Sequence, residues 1–208
     1  MLKEMKQQFI KNTIINETKK QLSEKGIRKT TVRGIADGLG IAVGNLYYYF
    51  KTKADIGDVI WADFTNAYLN EFQEKLKIPE IQNKSGLDKI RYYYAKLYEY
   101  FKENPLYAEL IAFLMGEKPR SERAPKEIRE IADAARISIK TTLVKLYEEG
   151  IADGSIQAEI QDLIQEVWSF NISNVFLVVN IIRYNEINKN IYEYYVNTYF
   201  NRLAISAN

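Results

Sequence analysis

The sequence predicts an all-α protein of about nine helices, three in the N-terminal 50 residues and six longer ones after them. Three observations carry this. Apolar residues recur at three- and four-residue spacing through nearly every segment, and few stretches alternate with the two-residue period of a strand. All four prolines fall where a helix can begin or end. The 208 residues are 47% hydrophobic and 27% charged, enough for one sizeable core or for a small domain followed by a larger one.

The first helix is expected over residues 3–24. Phe9, Ile10, Ile14 and Leu22 mark its apolar face, and Gly26 stops it. In "TTVRGIADGLG", Thr30 or Thr31 can cap a short helix that points Val32, Ile35, Ala36 and Leu39 inward. Gly40 allows a tight turn, and "IAVGNLYYYF" opens a third helix. A longer helix runs from Lys53 to about Leu76, and Pro79 with "NKSG" reads as a loop. Ser85 can cap a helix over residues 86–103, which Asn104-Pro105 breaks before another begins and ends near Gly116. "EKPRSERAP" is a polar loop, with Pro125 placed as the first residue of a helix reaching Glu149. After the turn "GIADGS", helices over about 159–184 and 187–205 finish the chain. The natural division lies between residues 50 and 55, giving domains over 1–52 and 53–208.

Composition narrows the chemistry. With no cysteine there are no disulfides, thiolate metal sites or cysteine nucleophile, and with no histidine the commonest general base and neutral metal ligand are missing. No metal, no cofactor and no enzymatic activity are expected. The N-terminus breaks its apolar residues with charge, so it has no signal-peptide core. The longest apolar run, "VFLVV" followed by Asn180 and "II", falls far short of the ~20 residues that span a bilayer. A cytoplasmic protein with no membrane partner is therefore expected. Residues 1–61 hold 11 basic and 6 acidic residues, a net of +5, which leaves −3 on the remainder of a chain whose total is +2. That asymmetry suits an anionic partner at the N-terminal end.

Two short helices joined by "GLGIAV" have the length and turn chemistry of a helix-turn-helix, whose second helix enters the DNA major groove. Placing Leu46 and Phe50 inward, at ~100° per residue, puts Gly44, Asn45 and Tyr48 on the opposite face, with Tyr47 and Tyr49 on the flanks. An outward glycine costs a helix roughly 0.5–1 kcal/mol relative to alanine, and suits a place where the backbone must approach something closely. Asn45 can donate to and accept from a base edge, and phenolic hydroxyls can donate to phosphates. Lys51 and Lys53 follow, and the free amides of the next helix's first turn favour an anion. Similar geometry occurs in proteins that never touch DNA, so an enzyme with an accessory motif and a helical protein-interaction module stand as alternatives.

The stretch "TTVRGIADGLGIAVGNLYYYFKTKADI" resembles the DNA-binding signature of the TetR family of bacterial transcriptional repressors. The resemblance rests on Thr31, Ile35, Ala36, Gly40, Ile41, Gly44, Leu46, Tyr47, Tyr49, Phe50 and Lys53. Two departures stand out: Ala42 replaces the usual Ser or Thr that caps the recognition helix, and Ile56 replaces a commoner leucine. The resemblance implies that Arg33 reaches a base edge or phosphate and that Val43, Gly44 and Asn45 lie against bases. It also implies that Tyr47 and Tyr49 hold phosphates and that Lys53 holds the DNA backbone. With the capping Thr31, the groove-facing Tyr48 and the neighbouring Lys51, these form the candidate DNA-binding set. For the rest of the chain, the resemblance implies an effector-binding and dimerisation domain. The protein would then be a homodimeric repressor on a palindromic double-stranded DNA operator, released by a small hydrophobic or aromatic organic effector.

The last two helices are the best candidates for the dimer bundle. "EVWSFNISNVFLVVNII" is apolar around most of its circumference, and Ile191, Tyr195, Thr198 and Tyr199 form a stripe on the final helix. The expected effector pocket draws on Tyr94, Leu97, Tyr98, Phe101, Phe113, Trp168 and Asn171, an aromatic wall with polar handles. Ordinary core packing is the competing reading for each of these.

Overall fold

A computed structural model describes residues 2–116, 124–157, 160–184 and 189–204. The described residues form ten helices: α1 (Leu2–Lys29), α2 (Val32–Gly38), α3 (Val43–Tyr49), α4 (Lys53–Lys75), α5 (Pro79–Gln82), α6 (Gly86–Glu103), α7 (Pro105–Gly116), α8 (Lys126–Ala152), α9 (Ile160–Tyr184) and α10 (Lys189–Asn201). The single turn α5 lies where a loop was expected, because Pro79 starts a helix as readily as it ends one. Most of the expected loop "EKPRSERAP" falls on residues 117–123, outside the described residues. Helix α8 runs three residues past Glu149, to Ala152.

The chain divides into two compact units. One comprises Met1–Phe64 and Glu109–Ala134, the other Thr65–Ala108 and Ala135–Asn208. Helices α4, α7 and α8 each contribute residues to both. The expected N-terminal motif is thus accompanied in its unit by residues 109–134.

In the first unit, α1 buries Ile14, Thr18 and Leu22, one face at four-residue spacing. Phe9, expected on that face, is instead exposed at 72%, as are Leu2 at 84% and Met5 at 64% in the same first turns. Gly26 interrupts the helix as expected, with φ 75° and ψ 167°. Thr30 is buried, and its hydroxyl donates to the Gly26 carbonyl at 2.9 Å. Thr31 caps α2: its Oγ1 accepts from the Gly34 amide at 3.0 Å. Helix α2 closes with Gly40 at φ 64°. There the Ile41 amide donates to Ala36 at 3.0 Å and the Gly40 amide to Asp37 at 3.1 Å, the paired bonds of a Schellman stop. Gln21 fastens α1 to α2, with Nε2 donating to the Gly34 carbonyl at 2.8 Å and to Glu17 Oε1 at 2.7 Å.

The second unit has an aromatic core. Helix α6 buries Tyr93, Tyr94, Leu97, Tyr98 and Phe101, and α10 buries Tyr192, Val196 and Phe200 four residues apart. Tyr94 meets Phe170 of α9 edge-on at 5.1 Å and stacks on Phe200 at 5.6 Å. The first turn of α6 is held by Ser85 Oγ accepting from the Asp88 amide at 3.2 Å, and by the Gly86 amide donating to Asp153 at 2.6 Å. There α6 comes so close to α8 that a Cβ on Gly86 would overlap the backbone of Gly150.

Two stability outcomes follow from these contacts. Thr31→Ala should lower the unfolding free energy by about 1 kcal/mol, whereas Ala42→Ser, which supplies the missing cap of α3, should raise it by a similar amount. Gly86→Ala should cost roughly 2–3 kcal/mol, because backbone rather than a movable side chain fills the space a methyl needs. Urea unfolding of the purified variants checks all three.

Candidate nucleic-acid interface

The outward surface of α3 follows from what the helix buries. Leu46 and Phe50 are fully buried, so one side of the helix belongs to the core. Gly44, Asn45, Tyr47 and Tyr48 are exposed, Tyr48 by 67% and Tyr47 by 44%. Val43 is half-buried, as is Tyr49, whose ring meets Tyr48 edge-on at 5.0 Å. A Cβ on Gly44 would meet nothing, so no packing within the chain demands glycine there. Helix α3 starts behind Ala42 with no side-chain cap, as its sequence predicts. Thr31 and Arg33, at the start of α2, are exposed too. No acidic residue occurs from Gly38 to Ala54, so the surface of α3 carries no carboxylate of its own.

The two lysines that follow differ in their surroundings. Lys51 is exposed, and its ammonium donates to the Tyr47 carbonyl at 2.9 Å, at the C-terminal end of α3, where a cation is favoured. Lys53 is half-buried. Its ammonium donates to the carbonyls of Ile27 at 2.8 Å and Thr30 at 3.0 Å, and lies over the Phe113 ring at 4.7 Å. The start of α4, expected to attract an external anion, already carries a carboxylate of the chain, which takes the two amides just before the helix, and the Asp55 amide of its first turn is engaged as well. Asp55 accepts from the Lys51 amide at 2.8 Å and the Thr52 amide at 2.9 Å, while Thr52 Oγ1 accepts from the Asp55 amide at 3.1 Å. This reciprocal cap fills the N-terminus of α4 with a buried carboxylate. Neither Gln21 nor Asp55 figures among the sequence candidates, although Asp three residues after Thr52 is a legible capping signal.

The candidate effector residues divide between the units. Phe113 lies in the first, under the Lys53 ammonium. The others lie in the second. Tyr98 stacks on Tyr192 at 4.9 Å, Phe101 stacks on Tyr107 at 4.7 Å, Leu97 is buried and Trp168 is half-buried. Two polar atoms here have no hydrogen-bond partner among the described residues: the Tyr94 hydroxyl and Oδ1 of buried Asn171. Burial pushes the ionisation of Tyr94 well above the ordinary phenol range, so its hydroxyl stays a neutral donor and acceptor. Asn174, one turn beyond Asn171 on α9, lies outside the sequence candidates, yet it is fully buried and its Oδ1 accepts from the Tyr192 hydroxyl at 3.1 Å. An asparagine inside an apolar helical run is the signal that could have found it. A separate cavity of about 360 Å³ lies between α6 and α10, lined by Lys84, Arg91, Tyr92, Glu193 and Val196 among others, and none of the candidate effector residues lines it. Among the described residues, no helix is long and apolar enough to cross a membrane.

Comparison with known proteins matches this arrangement. Residues 14–58, from the middle of α1 into α4, fit the family described as bacterial regulatory proteins, tetR family. The transcriptional repressor KstR2 of Mycolicibacterium smegmatis is 25% identical over 138 residues, which are 66% of this chain and 63% of that protein. KstR2 of Rhodococcus jostii is 40% identical over 52 residues, 25% of this chain and 26% of that one. The matched segments thus span less than two-thirds of these curated relatives. Among solved structures, a TetR-family regulator from Syntrophomonas wolfei superposes with a TM-score of 0.66 at 17% identity, covering 95% of this chain and 96% of that one. FadR of Bacillus subtilis, solved in complex with stearoyl-CoA, gives 0.64 at 18%, covering 92% and 96%. At those identities the likeness speaks for the all-helical fold. The helix-turn-helix signature on α2 and α3 thus lies inside the segment that matches the TetR family of bacterial regulatory proteins, and the rest of the chain shares the all-helical fold of these solved regulators.

Proposed function

We propose that the chain is a DNA-binding transcriptional regulator and not an enzyme. In this reading it is a homodimeric repressor that holds a palindromic double-stranded operator and leaves it when a small organic molecule occupies the second unit. The observation that carries the reading is the outward face of α3. Gly44, Asn45 and Tyr48 are exposed on a helix whose rotation is set by buried Leu46 and Phe50, and that helix lies within the part of the chain matching the family. Asn45 would read a base edge, Gly44 would let the helix backbone sit close, and Tyr47 and Tyr49 would hold phosphates on either side. Arg33 and Lys51 would add charge. The relatives named as repressors support the sign of regulation. A functional boundary at residues 52/53 and a cytoplasmic location belong to the same reading.

Two recognition helices must reach successive major grooves, ~34 Å apart, so a symmetric partner is needed. Helix α9 exposes Ile172 and Phe176 four residues apart, and α10 exposes Ile191 and Tyr194. These outward apolar residues support the last two helices as the dimer face. For the effector, the unpaired Tyr94 hydroxyl and Asn171 carbonyl oxygen support a ligand with an apolar body and a hydrogen-bonding group. FadR of Bacillus subtilis, solved with stearoyl-CoA, offers one precedent for a long apolar ligand on this fold. Release requires that the effector bind better to a state whose recognition helices no longer match the half-sites. Because α4 contributes to both units, its tilt is the natural lever.

Footprinting on DNA flanking the protein's own gene should give sequence-specific protection that weakens steeply with salt. Absence of any such protection would sink the reading. Gly44→Ala should raise the unfolding free energy by roughly 0.5–1 kcal/mol while weakening operator binding at least about tenfold, because the new methyl stands where the backbone meets DNA. Phe176→Lys should convert the dimer to a folded monomer in analytical ultracentrifugation, with helicity by circular dichroism unchanged.

A further inference from the structure

Lys53 opens α4 immediately after the motif, yet its ammonium is turned back into the fold. Two of its three hydrogens meet the Ile27 and Thr30 carbonyls, at 2.8 and 3.0 Å. Those carbonyls flank the segment between the Gly26 break in α1 and the Thr31 cap of α2, so the lysine ties down the entry to the helix-turn-helix. The Phe113 ring lies under the same ammonium, with its centroid 4.7 Å away, and an aromatic face is favourable for a cation. Phe113 belongs to α7, 60 residues further along the chain, and it does not stand alone. A Cβ on Gly57, one turn after Lys53 in α4, would sit 3.1 Å from Leu114 and 3.3 Å from Leu110 of α7. A Cβ on Gly26 would lie 3.7 Å from Glu109. Residues 109, 110, 113 and 114 form one face of α7, laid on the end of α1 and the start of α4 within the first unit.

We infer that Lys53 is a positioning residue rather than a phosphate contact, and that Phe113 of α7 completes the DNA-binding unit by holding the Lys53 ammonium on the Ile27 and Thr30 carbonyls. The inference rests on the DNA-binding reading above for its affinity readout, but not for its structural one. A lysine bound to a phosphate and a lysine that orients the motif both matter for affinity, and they differ in charge accounting. Losing one phosphate contact lowers the slope of log affinity against log salt by about 0.9. Losing a positioning contact lowers affinity at every salt concentration and leaves that slope unchanged.

The test uses the full chain with Lys53→Met, Lys53→Arg, Phe113→Leu and the double variant Lys53→Met/Phe113→Leu. Operator affinity is measured across a salt series, and amide hydrogen exchange is measured without DNA. Lys53→Met and Phe113→Leu should each weaken binding about tenfold or more with an unchanged salt slope, and the double variant should be little worse than either single one. Lys53→Arg, which keeps donors and cation, should recover most of the affinity. In the free protein, exchange should rise at Thr30–Ile35 in both single variants while α6 and α9 stay protected, which general destabilisation would not produce. A slope lower by about one charge in Lys53→Met, with Phe113→Leu like wild type, overturns the inference, as does unchanged exchange at Thr30–Ile35 in either variant. If the wild-type chain binds no DNA, the function proposed above fails, and the exchange pattern alone still decides the role of Lys53 and Phe113.

Discussion

Burial of Leu46 and Phe50 sets the rotation of α3, and the rest of the candidate interface depends on that rotation. Both side chains are fully removed from solvent, worth roughly 1.5–3 kcal/mol each. Against this stand the outward glycine, costing roughly 0.5–1 kcal/mol, and the absent cap at Ala42, worth about 1 kcal/mol. The apolar contribution exceeds both penalties together, so a seven-residue helix with two local defects still has a defined azimuth. Turning it by a single residue, ~100°, would bring Leu46 and Phe50 out and take Asn45 in. The presentation of Gly44, Asn45 and Tyr48 is therefore a consequence of core packing.

Polar groups do the remaining orientation. Gln21 ties α1 to the Gly34 carbonyl, Asp55 caps α4 from within, and Lys53 ties the start of α4 to the end of α1. Two of the three act at helix termini, where backbone groups lack intrahelical partners: the Asp55 carboxylate at the start of α4 and the Lys53 ammonium at the end of α1. The short helices of the motif offer little apolar area, so hydrogen bonds at their ends carry a larger share of the geometry than they would in a long bundle. The same bonds use up donors and amides that a reading of charge alone would assign to DNA.

The two tyrosine triplets show how little a run of residues says by itself. In Tyr47-Tyr48-Tyr49 the first two rings are exposed and the third is half-buried, whereas in Tyr92-Tyr93-Tyr94 the first is half-buried and the other two are buried. The second triplet lies on a longer helix flanked by α9 and α10 and joins an aromatic core with Phe170 and Phe200. The first lies on a short helix whose core contacts are supplied by Leu46 and Phe50. Burial of Tyr93 and Tyr94 raises their ionisation far above the ordinary phenol range, leaving neutral groups among aromatic rings.

Local chemistry determined most of the fold from the sequence alone. The break at Gly26, the caps at Thr31 and Ser85, the turn at Gly40, the restart at Pro105 and the inward pair Leu46 and Phe50 all depend on residues within about one helical turn of each other, and all are legible in the pattern. The outward face of α3 was legible for the same reason. What only the tertiary structure decided is which groups are already engaged. Phe9 reads as core and stands in solvent, Phe113 reads as pocket wall and covers a lysine, and Lys53 reads as a free cation and holds two carbonyls. These outcomes depend on meetings between residues 23 to 60 positions apart. Helical periodicity names the face on which a side chain lies, but it carries no information about which distant helix, if any, arrives there.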